Sequence, residues 1–192
     1  MTSRPNTFPR RWFFTDSRLG DAVWAVIARL PNDVGVIVRV PSPKRDAALA
    51  RRLVATCSRR GLIVLMAGPV TLAQRLGAHG AHLPEREARR GRNLRPKAGF
   101  YLTAAAHSRP ALVRAERLGV DGVFLSPVFP TRSHPTARTL GPARFGLLTR
   151  GVNVPVLALG GITPATLKRL APLQPYGWGA IDAWLDNDEG PE

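Results

Sequence analysis

The sequence predicts an α/β fold in which parallel strands alternate with helices, and two patterns support this. Short apolar runs alternate with longer helix-like segments along the 192 residues. Most of these runs are continuously apolar, which is typical of a parallel sheet buried on both faces. The form Arg-Leu-Gly-x-x-Gly-x-x-Leu also occurs twice, at 75–83 and 117–125, as a helix end, a glycine cap and a buried strand. About eight such units predict a compact (β/α)8 TIM barrel, with an open doubly wound sheet as the alternative.

The elements follow in order. Strands are expected at Trp12–Thr15, Val34–Val38, Leu62–Met66, Gly80–Leu83, Gly99–Thr103, Gly122–Leu125, Val154–Leu159 and Gly177–Ile181. Helices are clearest at Leu19–Leu30, Ala47–Arg60, Val70–Leu76, Pro110–Leu118 and Pro164–Leu170. Weaker helical segments follow Leu83 and Leu140. TDSRLGD, rather than a glycine fingerprint, follows the first strand, which disfavours a dinucleotide-binding fold.

The length suits one domain with a full core, and we assign residues 1–192 to a single barrel. Residues 1–10 and 186–192 are expected to be flexible tails. Only AWLDNDEGPE follows the last strand, so the eighth helix should be short or missing. We expect either Trp184 and Leu185 to cover the gap, or a partner subunit of a homodimer to do so.

The formal net charge is +15, and only three of the 28 cationic residues are lysine. Arg45, Arg52 and Arg59 are spaced by seven and should share one face of a helix. We interpret this face as a solvated stripe, because the aromatic residues of a single-strand nucleic-acid platform are not interleaved with it. A basic scaffold that binds anionic polymers is the alternative.

The location of the chain is expected to be cytoplasmic. No run of about 18 apolar residues is present, so no membrane-spanning helix is predicted. MTSRPNTFPRRWFF lacks the apolar segment and cleavage site of a signal peptide. The single cysteine, Cys57, cannot form an internal disulfide, which suits a reducing compartment.

The segment SPVFPTRSHPTARTLG (126–141) follows the sixth strand and therefore lies on the catalytic face of the predicted barrel. Phe129 and Pro130 can form an apolar wall, Thr131 and Ser133 can donate hydroxyl hydrogen bonds, and His134 can supply positive charge. Prolines preset the backbone and reduce the cost of ordering it on binding. This loop is the first candidate site.

The segment PVLALGGITPATLKRL (155–170) is the second candidate. A buried strand ends at Gly160 and Gly161, and a helix begins at Pro164 with Thr163 as its N-cap. Glycines allow the backbone to approach a ligand, and loops after strands seven and eight commonly bind phosphate in this barrel. The segment predicts a phosphate site.

Together these two segments resemble thiamine phosphate synthase and the related thiazole tautomerase-like proteins, and the resemblance extends over most of the chain. FFTD (13–16), RLGAHGAHLPE (75–85) and AAAH (104–107) are similar to family segments. The resemblance implies a transferase of thiamine biosynthesis that uses Mg²⁺. It joins hydroxymethylpyrimidine diphosphate and thiazole phosphate into thiamine phosphate and pyrophosphate. The implied partners are small phosphorylated substrates, not membranes or nucleic acids.

The resemblance also assigns residues to roles. Arg39, His107 and His134 are the catalytic candidates; in a tautomerase-like protein either histidine could act as acid or base in place of the histidine that Pro127 replaces. Glu87 matches a metal-binding carboxylate. The substrate and phosphate ligands are expected to be Phe129, Pro130, Thr131, Ser133, Gly160, Gly161 and Asp182. His82 lies within a predicted strand and is interpreted as structural.

Several positions depart from the family pattern. The Asn-Asp pair after strand three is Ala67 and Gly68, and a lysine after strand two is Pro41. Asp182 stands in place of a serine beside the phosphate, where like charges would oppose binding. These departures leave two alternatives open. One is a catalytically silent phosphate-ligand binder, and the other is a tautomerase-like protein, although Pro127 replaces the histidine associated with that activity.

Overall fold

A computed structural model describes residues 8–42, 45–90, 98–133 and 135–185, and it contains eight parallel strands that close into a barrel in chain order. The strands are β1 Arg11–Phe14, β2 Val34–Val38, β3 Val64–Ala67, β4 Gly80–Leu83, β5 Tyr101–Ala106, β6 Gly122–Leu125, β7 Val156–Leu159 and β8 Gly177–Ala180. β1 pairs with β8, with Arg11 opposite Trp178, so no sheet edge remains. This confirms the (β/α)8 prediction.

Seven α-helices connect the strands in the described part of the chain. They are α1 Ala22–Arg29, α2 Ala47–Arg59, α3 Val70–Arg75, α4 Glu85–Arg90, α5 Arg109–Arg117, α6 Gly141–Thr149 and α7 Pro164–Leu170. α1 begins three residues later than expected. The Asp16 side chain caps a separate 3₁₀ turn, Ser17–Leu19, and Gly20 ends that turn at φ +50°.

Large aromatic side chains fill the interior of the barrel. Trp12, Phe14 and Phe124 are fully buried there, and the rings of Phe14 and Phe124 meet edge to face at 5.0 Å. Glycines on neighbouring strands make room for them. A Cβ on Gly35 would lie 2.4 Å from the Trp12 ring, and one on Gly179 would lie 2.6 Å from Phe14. The interior is therefore a packed core, and ligands must bind at the barrel mouth, the end formed by the carboxyl ends of the strands.

The opposite end of the barrel is closed by residues just before β1. The Phe8 ring lies 5.3 Å from the Trp12 ring, and Tyr176 Oη donates to the Phe8 carbonyl at 2.6 Å. Pro9 is buried and accepts from Trp12 Nε1 at 2.8 Å. Part of the expected N-terminal tail is thus packed, whereas residues 1–7 and 186–192 lie outside the described residues. A cavity of about 850 Å³ beside Arg10 and Tyr176 also lies at this end, away from the mouth.

The chain itself covers the place of an eighth helix. A 3₁₀ turn, Asp182–Trp184, follows β8. Trp184 is 1% exposed, stacks on Trp178 at 5.2 Å and donates from Nε1 to the Trp12 carbonyl at 3.2 Å. Arg29 Nη2 donates to the carbonyls of Trp184 and Leu185, both at 2.7 Å. Of the two expected ways to close the gap, the structure contains the first.

The arginine stripe is only partly on a helix: Arg52 and Arg59 lie on α2 and are exposed to solvent, as expected, whereas Arg45 lies in the turn before it. Arg52 lies over the Trp24 ring at 4.4 Å, while Arg45 and Arg59 are exposed. Other arginines hold the ends of helices, for example Arg109, whose Nη1 donates to the Leu148 carbonyl at 2.7 Å. Among the helices within the described ranges, none has the length and hydropathy needed to cross a bilayer.

Candidate active site

The loop after β6 is closed by its own backbone. Leu140 N donates to the Pro127 carbonyl at 3.0 Å, and Gly141 N donates to the Val128 carbonyl at 2.8 Å. The two ends of the loop therefore meet at a neck directly above β6. Between these bonds the described residues, 129–133 and 135–139, form no helix or strand, so the backbone of the neck holds an irregular segment at the mouth.

This loop packs against the turn after β7. Val128 N donates to the Leu159 carbonyl at 2.9 Å, and Phe129 N donates to the Gly160 carbonyl at 3.0 Å. Gly161 has φ +65°, and a Cβ there would lie 2.3 Å from the Pro130 carbonyl oxygen. Only glycine fits at this position. The absence of side chains at Gly160 and Gly161 lets this turn pack directly against the β6 loop.

Phe129 and Pro130 differ in exposure. Phe129 is 4% exposed, and the Arg169 guanidinium lies 5.1 Å above its ring. A Cβ added to Gly161 would lie 2.7 Å from the Phe129 Cβ, so the Phe129 side chain packs directly against the glycine turn. The expected apolar wall is therefore presented only by the exposed Pro130.

The helix after the turn is capped by its own hydroxyl groups. Thr163 Oγ1 accepts from Thr166 N at 3.2 Å, and Thr166 Oγ1 donates to the Gly161 carbonyl at 3.0 Å. These bonds fix the orientation of the Gly161 peptide. The expected N-cap is present, and α7 begins at Pro164 as predicted.

Arg39 lies at the end of β2 and is paired within the mouth. Its Nη2 donates to Asp16 Oδ2 at 2.8 Å, and its Nε donates to the Thr15 carbonyl at 3.2 Å. Burial lowers the pKa of Arg39, Asp16 opposes that effect, and Arg18 adds to it. Arginine nevertheless stays charged in proteins, so Arg39 is a fixed cation.

Asp16 is held ionised by its neighbours. Burial raises the pKa of its carboxyl, but hydrogen bonds from Arg18 and the charges of Arg39 and Arg18 together bring that pKa below the usual value. Asp16 therefore acts as a permanent anchor for both arginines.

Arg18 joins three loops, and sequence reasoning did not select it. Its Nε donates to Asp16 Oδ1 at 3.0 Å, and its Nη2 donates to Ser133 Oγ at 3.1 Å. The same Nη2 lies 3.6 Å from Asp182 Oδ1. The loops after β1, β6 and β8 thus converge on one guanidinium, which brings the predicted Ser133 and Asp182 together.

His107 is oriented at the end of β5. Its Nδ1 lies 2.8 Å from the Ser126 carbonyl oxygen, and its backbone N donates to Glu85 Oε2 at 3.2 Å. Because a carbonyl can only accept, Nδ1 carries the proton in the neutral ring and Nε2 keeps a lone pair. The residue is exposed, so Nε2 is able to exchange a proton with a ligand. The second predicted histidine, His134, lies outside the described residues.

His82 has no such freedom. It is buried, its Nδ1 pairs with Thr103 Oγ1 at 2.9 Å, and its ring meets Phe14 edge to face at 5.5 Å. Burial, with a further contribution from the charge of Arg39, lowers its pKa to about 3. The geometry agrees with the structural interpretation made from sequence.

A divalent cation has few protein ligands here. Glu87 lies in the first turn of α4, partly exposed, with Arg86 Nε 3.9 Å away. The neighbouring Glu85 is engaged by Arg89 at 3.1 Å and Arg114 at 3.4 Å. Within the described residues no group of three or more His, Cys, Asp or Glu side chains can hold a metal. The described carboxylates therefore do not form a metal site by themselves, and a divalent cation here would depend on oxygen ligands from a substrate and water.

Comparison with known proteins points to one family. The model of the thiamine monophosphate synthase family matches residues 25–180. The thiamine-phosphate synthase of Bordetella bronchiseptica is 34% identical over 169 residues, which span 83% of this chain and 77% of that protein. The thiamine-phosphate synthase of Salinispora tropica is 30% identical over 189 residues, which span 91% of this chain and 88% of that protein.

Among solved structures, the thiamine phosphate pyrophosphorylase from Pyrococcus furiosus superposes with a TM-score of 0.69. The superposition covers 93% of this chain and 88% of the Pyrococcus chain, at 19% sequence identity, and supports the barrel fold. The family model matches most of the chain, and both relatives are at least 30% identical over more than three quarters of their length. The chain belongs to the thiamine monophosphate synthase family.

Proposed function

We propose that the chain is a thiamine phosphate synthase that joins hydroxymethylpyrimidine diphosphate to thiazole phosphate. Membership of the family gives it a role in thiamine biosynthesis. The observation that carries the proposal is the contact between the β6 loop and the Gly160–Gly161 turn, made through Phe129 N and the Gly160 carbonyl at 3.0 Å. We call this turn, with the hydroxyl groups of Thr131 and Ser133, the phosphate seat.

The phosphate seat suits the thiazole phosphate. Backbone without side chains permits close approach of an anion, and hydroxyl groups donate to phosphate oxygens. Ser133 already accepts a hydrogen bond from Arg18, so a cation lies beside the hydroxyl. In this half of the site Thr131, Gly160 and Gly161 match the resemblance and Ser133 keeps a hydroxyl, whereas His134 stands in place of a lysine and Asp182 in place of a serine.

The other half of the mouth would bind the diphosphate. Arg39 is a fixed cation at the end of β2 and can pair with phosphate oxygens. Bound Mg²⁺, with Glu87 as a ligand, would neutralise charge on the departing pyrophosphate. In the reaction the thiazole nitrogen forms a bond to the pyrimidine methylene carbon, and the bond from that carbon to the diphosphate oxygen breaks. The imidazolium form of His107, with Nδ1 held by the Ser126 carbonyl, would donate its Nε2 proton to the departing pyrophosphate.

The test is direct turnover. Purified protein is mixed with both substrates and Mg²⁺, and thiamine phosphate is quantified against a blank without protein. Product that disappears in Arg39→Gln but persists in Arg75→Gln supports the proposal, because Arg75 lies in the last turn of α3, at the other end of the barrel. Absence of product from the wild type at saturating substrate rejects synthase activity.

A binder or tautomerase-like protein is the second candidate, favoured by the two residues at the end of β3. Ala67 and Gly68 carry no carboxylate or amide side chain, and Gly68 N donates to the His82 carbonyl at 2.9 Å. A protein with only the phosphate seat would bind thiazole phosphate without condensing it. A rise in melting temperature with thiazole phosphate, together with no turnover, distinguishes this candidate. We also propose a cytoplasmic location, which suits the buried free Cys57.

A further inference from the structure

We propose that Arg18 binds the substrate phosphate at the phosphate seat and that Asp182 is the counter-ion that this phosphate displaces. The inference rests on the proposed function, since it assumes that a phosphorylated thiazole occupies the seat. It assigns a ligand-binding role to a residue outside the two motifs and explains the carboxylate at position 182.

One edge of the Arg18 guanidinium is only partly engaged by its neighbours. Asp16 Oδ1 accepts from both Arg18 N and Arg18 Nε, each at 3.0 Å, which anchors the residue at its own loop. The Nη2 group points away from this anchor towards Ser133 Oγ at 3.1 Å. Its distance of 3.6 Å to Asp182 Oδ1 is too long for a good hydrogen bond. The guanidinium is therefore positioned but not saturated.

The phosphate seat lies next to the Nη2 group of Arg18. Ser133 is three residues beyond Pro130, whose carbonyl oxygen abuts Gly161, and Asp182 follows β8, the strand beside β7. An anion on the Gly160–Gly161 backbone that also reaches Ser133 comes within range of Nη2. A phosphate carries about two negative charges near neutral pH and pairs with arginine more strongly than a single carboxylate does. Phosphate should therefore replace Asp182 as the partner of Arg18.

The charges at the barrel mouth predict how Arg18 and Asp182 each affect the affinity for phosphate. Arg18 and Arg39 are matched by Asp16 and Asp182, two cations by two anions. Because a like charge opposes an incoming anion, Asp182 should weaken binding of phosphate while Arg18 strengthens it. Substitution of the two partners of one ion pair should thus change affinity in opposite directions. A purely structural ion pair would not behave in this way.

The experiment is calorimetric titration with thiazole phosphate and, in parallel, with the thiazole alcohol that lacks the phosphate. Arg18→Gln should bind thiazole phosphate about 10- to 100-fold more weakly than the wild type, the range expected for a lost hydrogen bond between charged groups. Asp182→Asn should bind it about three- to tenfold more tightly. Arg18→Lys keeps the positive charge but lacks the planar guanidinium. Its affinity for thiazole phosphate should therefore lie between those of the wild type and Arg18→Gln. None of these substitutions should change the affinity for the alcohol.

Two matched controls correct for net charge. Arg75→Gln removes a cation and Asp33→Asn removes an anion, both exposed at the far end of the barrel. Neither should change the affinity for thiazole phosphate by more than about twofold, because charges separated by more than about 10 Å are screened at 0.1 M salt.

The outcomes separate the two proposals. If the wild type binds thiazole phosphate and Arg18→Gln binds it equally well, the role of Arg18 is wrong while the phosphate seat stands. If Arg18→Gln and Asp182→Asn both weaken phosphate and alcohol alike, the pair only braces the loops, and the inference is overturned. If the wild type binds no thiazole phosphate, the phosphate seat and the inference fail together.

Discussion

His82 Nδ1 and Thr103 Oγ1 lie 2.9 Å apart inside the barrel, where both side chains are buried. The pKa of this histidine falls to about 3, through burial first and the charge of Arg39 second. In the unfolded chain the ring regains a pKa of about 6.5, so below that pH the unfolded state binds the proton first. Stability from this site is complete above about pH 6.5 and declines as the pH falls towards 3.

His82→Gln should therefore be less sensitive to acid than the wild type. Between pH 8 and pH 5 the free energy of unfolding of the wild type should fall by about 2 kcal/mol because of His82. The variant should not show this fall. Urea unfolding at the two pH values measures the difference. Thr103→Val is the control: it should lower stability at both pH values and keep the dependence. The same pH dependence in wild type and His82→Gln would contradict the assignment.

Gly161→Ala should remove binding of thiazole phosphate. The added Cβ would meet the Pro130 carbonyl oxygen at 2.3 Å, so the β6 loop must move off the turn. Gly119→Ala is a matched control, because Gly119 has a similar φ of +68° but nothing within 4 Å of the new atom. Both variants should lose about 1 kcal/mol for the left-handed backbone. Titration should find binding lost only in Gly161→Ala, and equal affinities in the two variants would refute the phosphate seat.

His107→Gln should lower kcat about 100-fold with little change in KM, if the proposed acid role is right. The reason is that Nε2 is the free ring nitrogen once Nδ1 donates to Ser126. The glutamine amide can still donate to that carbonyl but cannot exchange a proton. Steady-state turnover with both substrates gives the two constants. If His107→Gln keeps the kcat of the wild type, the acid role is wrong and His107 is only structural.

Trp184→Ala should destabilise the barrel by about 3–5 kcal/mol, the usual cost of emptying a fully buried tryptophan site. Trp184 stacks on Trp178 and is 1% exposed. Trp24→Ala is the comparison, since Trp24 is half-buried on α1 beneath Arg52 and should cost less than about 2 kcal/mol. Urea denaturation ranks the two. Equal losses would mean that the C-terminal turn is not part of the core.

The strands were predictable from the sequence because the pattern that specifies them is local. β2 and β4 have the predicted bounds, since each is a short apolar run between turn residues. β3 begins two residues later than expected. Leu62 and Ile63 are buried like the strand, so hydrophobicity does not mark its start. The first helix was predicted too early because Asp16 caps a 3₁₀ turn, an interaction that depends on side-chain geometry.

The candidate site was only partly predictable, for the opposite reason. Gly160 and Gly161 carry a local signal, the end of a strand followed by a capped helix. Arg18 carries none, because Ser133 lies 115 positions further along the chain. Phe129 looked like a ligand contact because its loop follows a strand, and only the tertiary contact with Gly161 shows that it is buried. Contacts between distant loops depend on the register of barrel closure, which composition and periodicity do not encode.

The closure of the barrel by β8 has a consequence for how the protein is made. β1 forms its second ladder only when Trp178, Gly179 and Ala180 pair with it, and these are among the last described residues to leave the ribosome. Until then the nascent sheet has two open edges, and an unpaired edge is a template for pairing with another chain. A premature stop before residue 177 would leave those edges open permanently. Such a truncated product should aggregate rather than accumulate as a smaller folded domain.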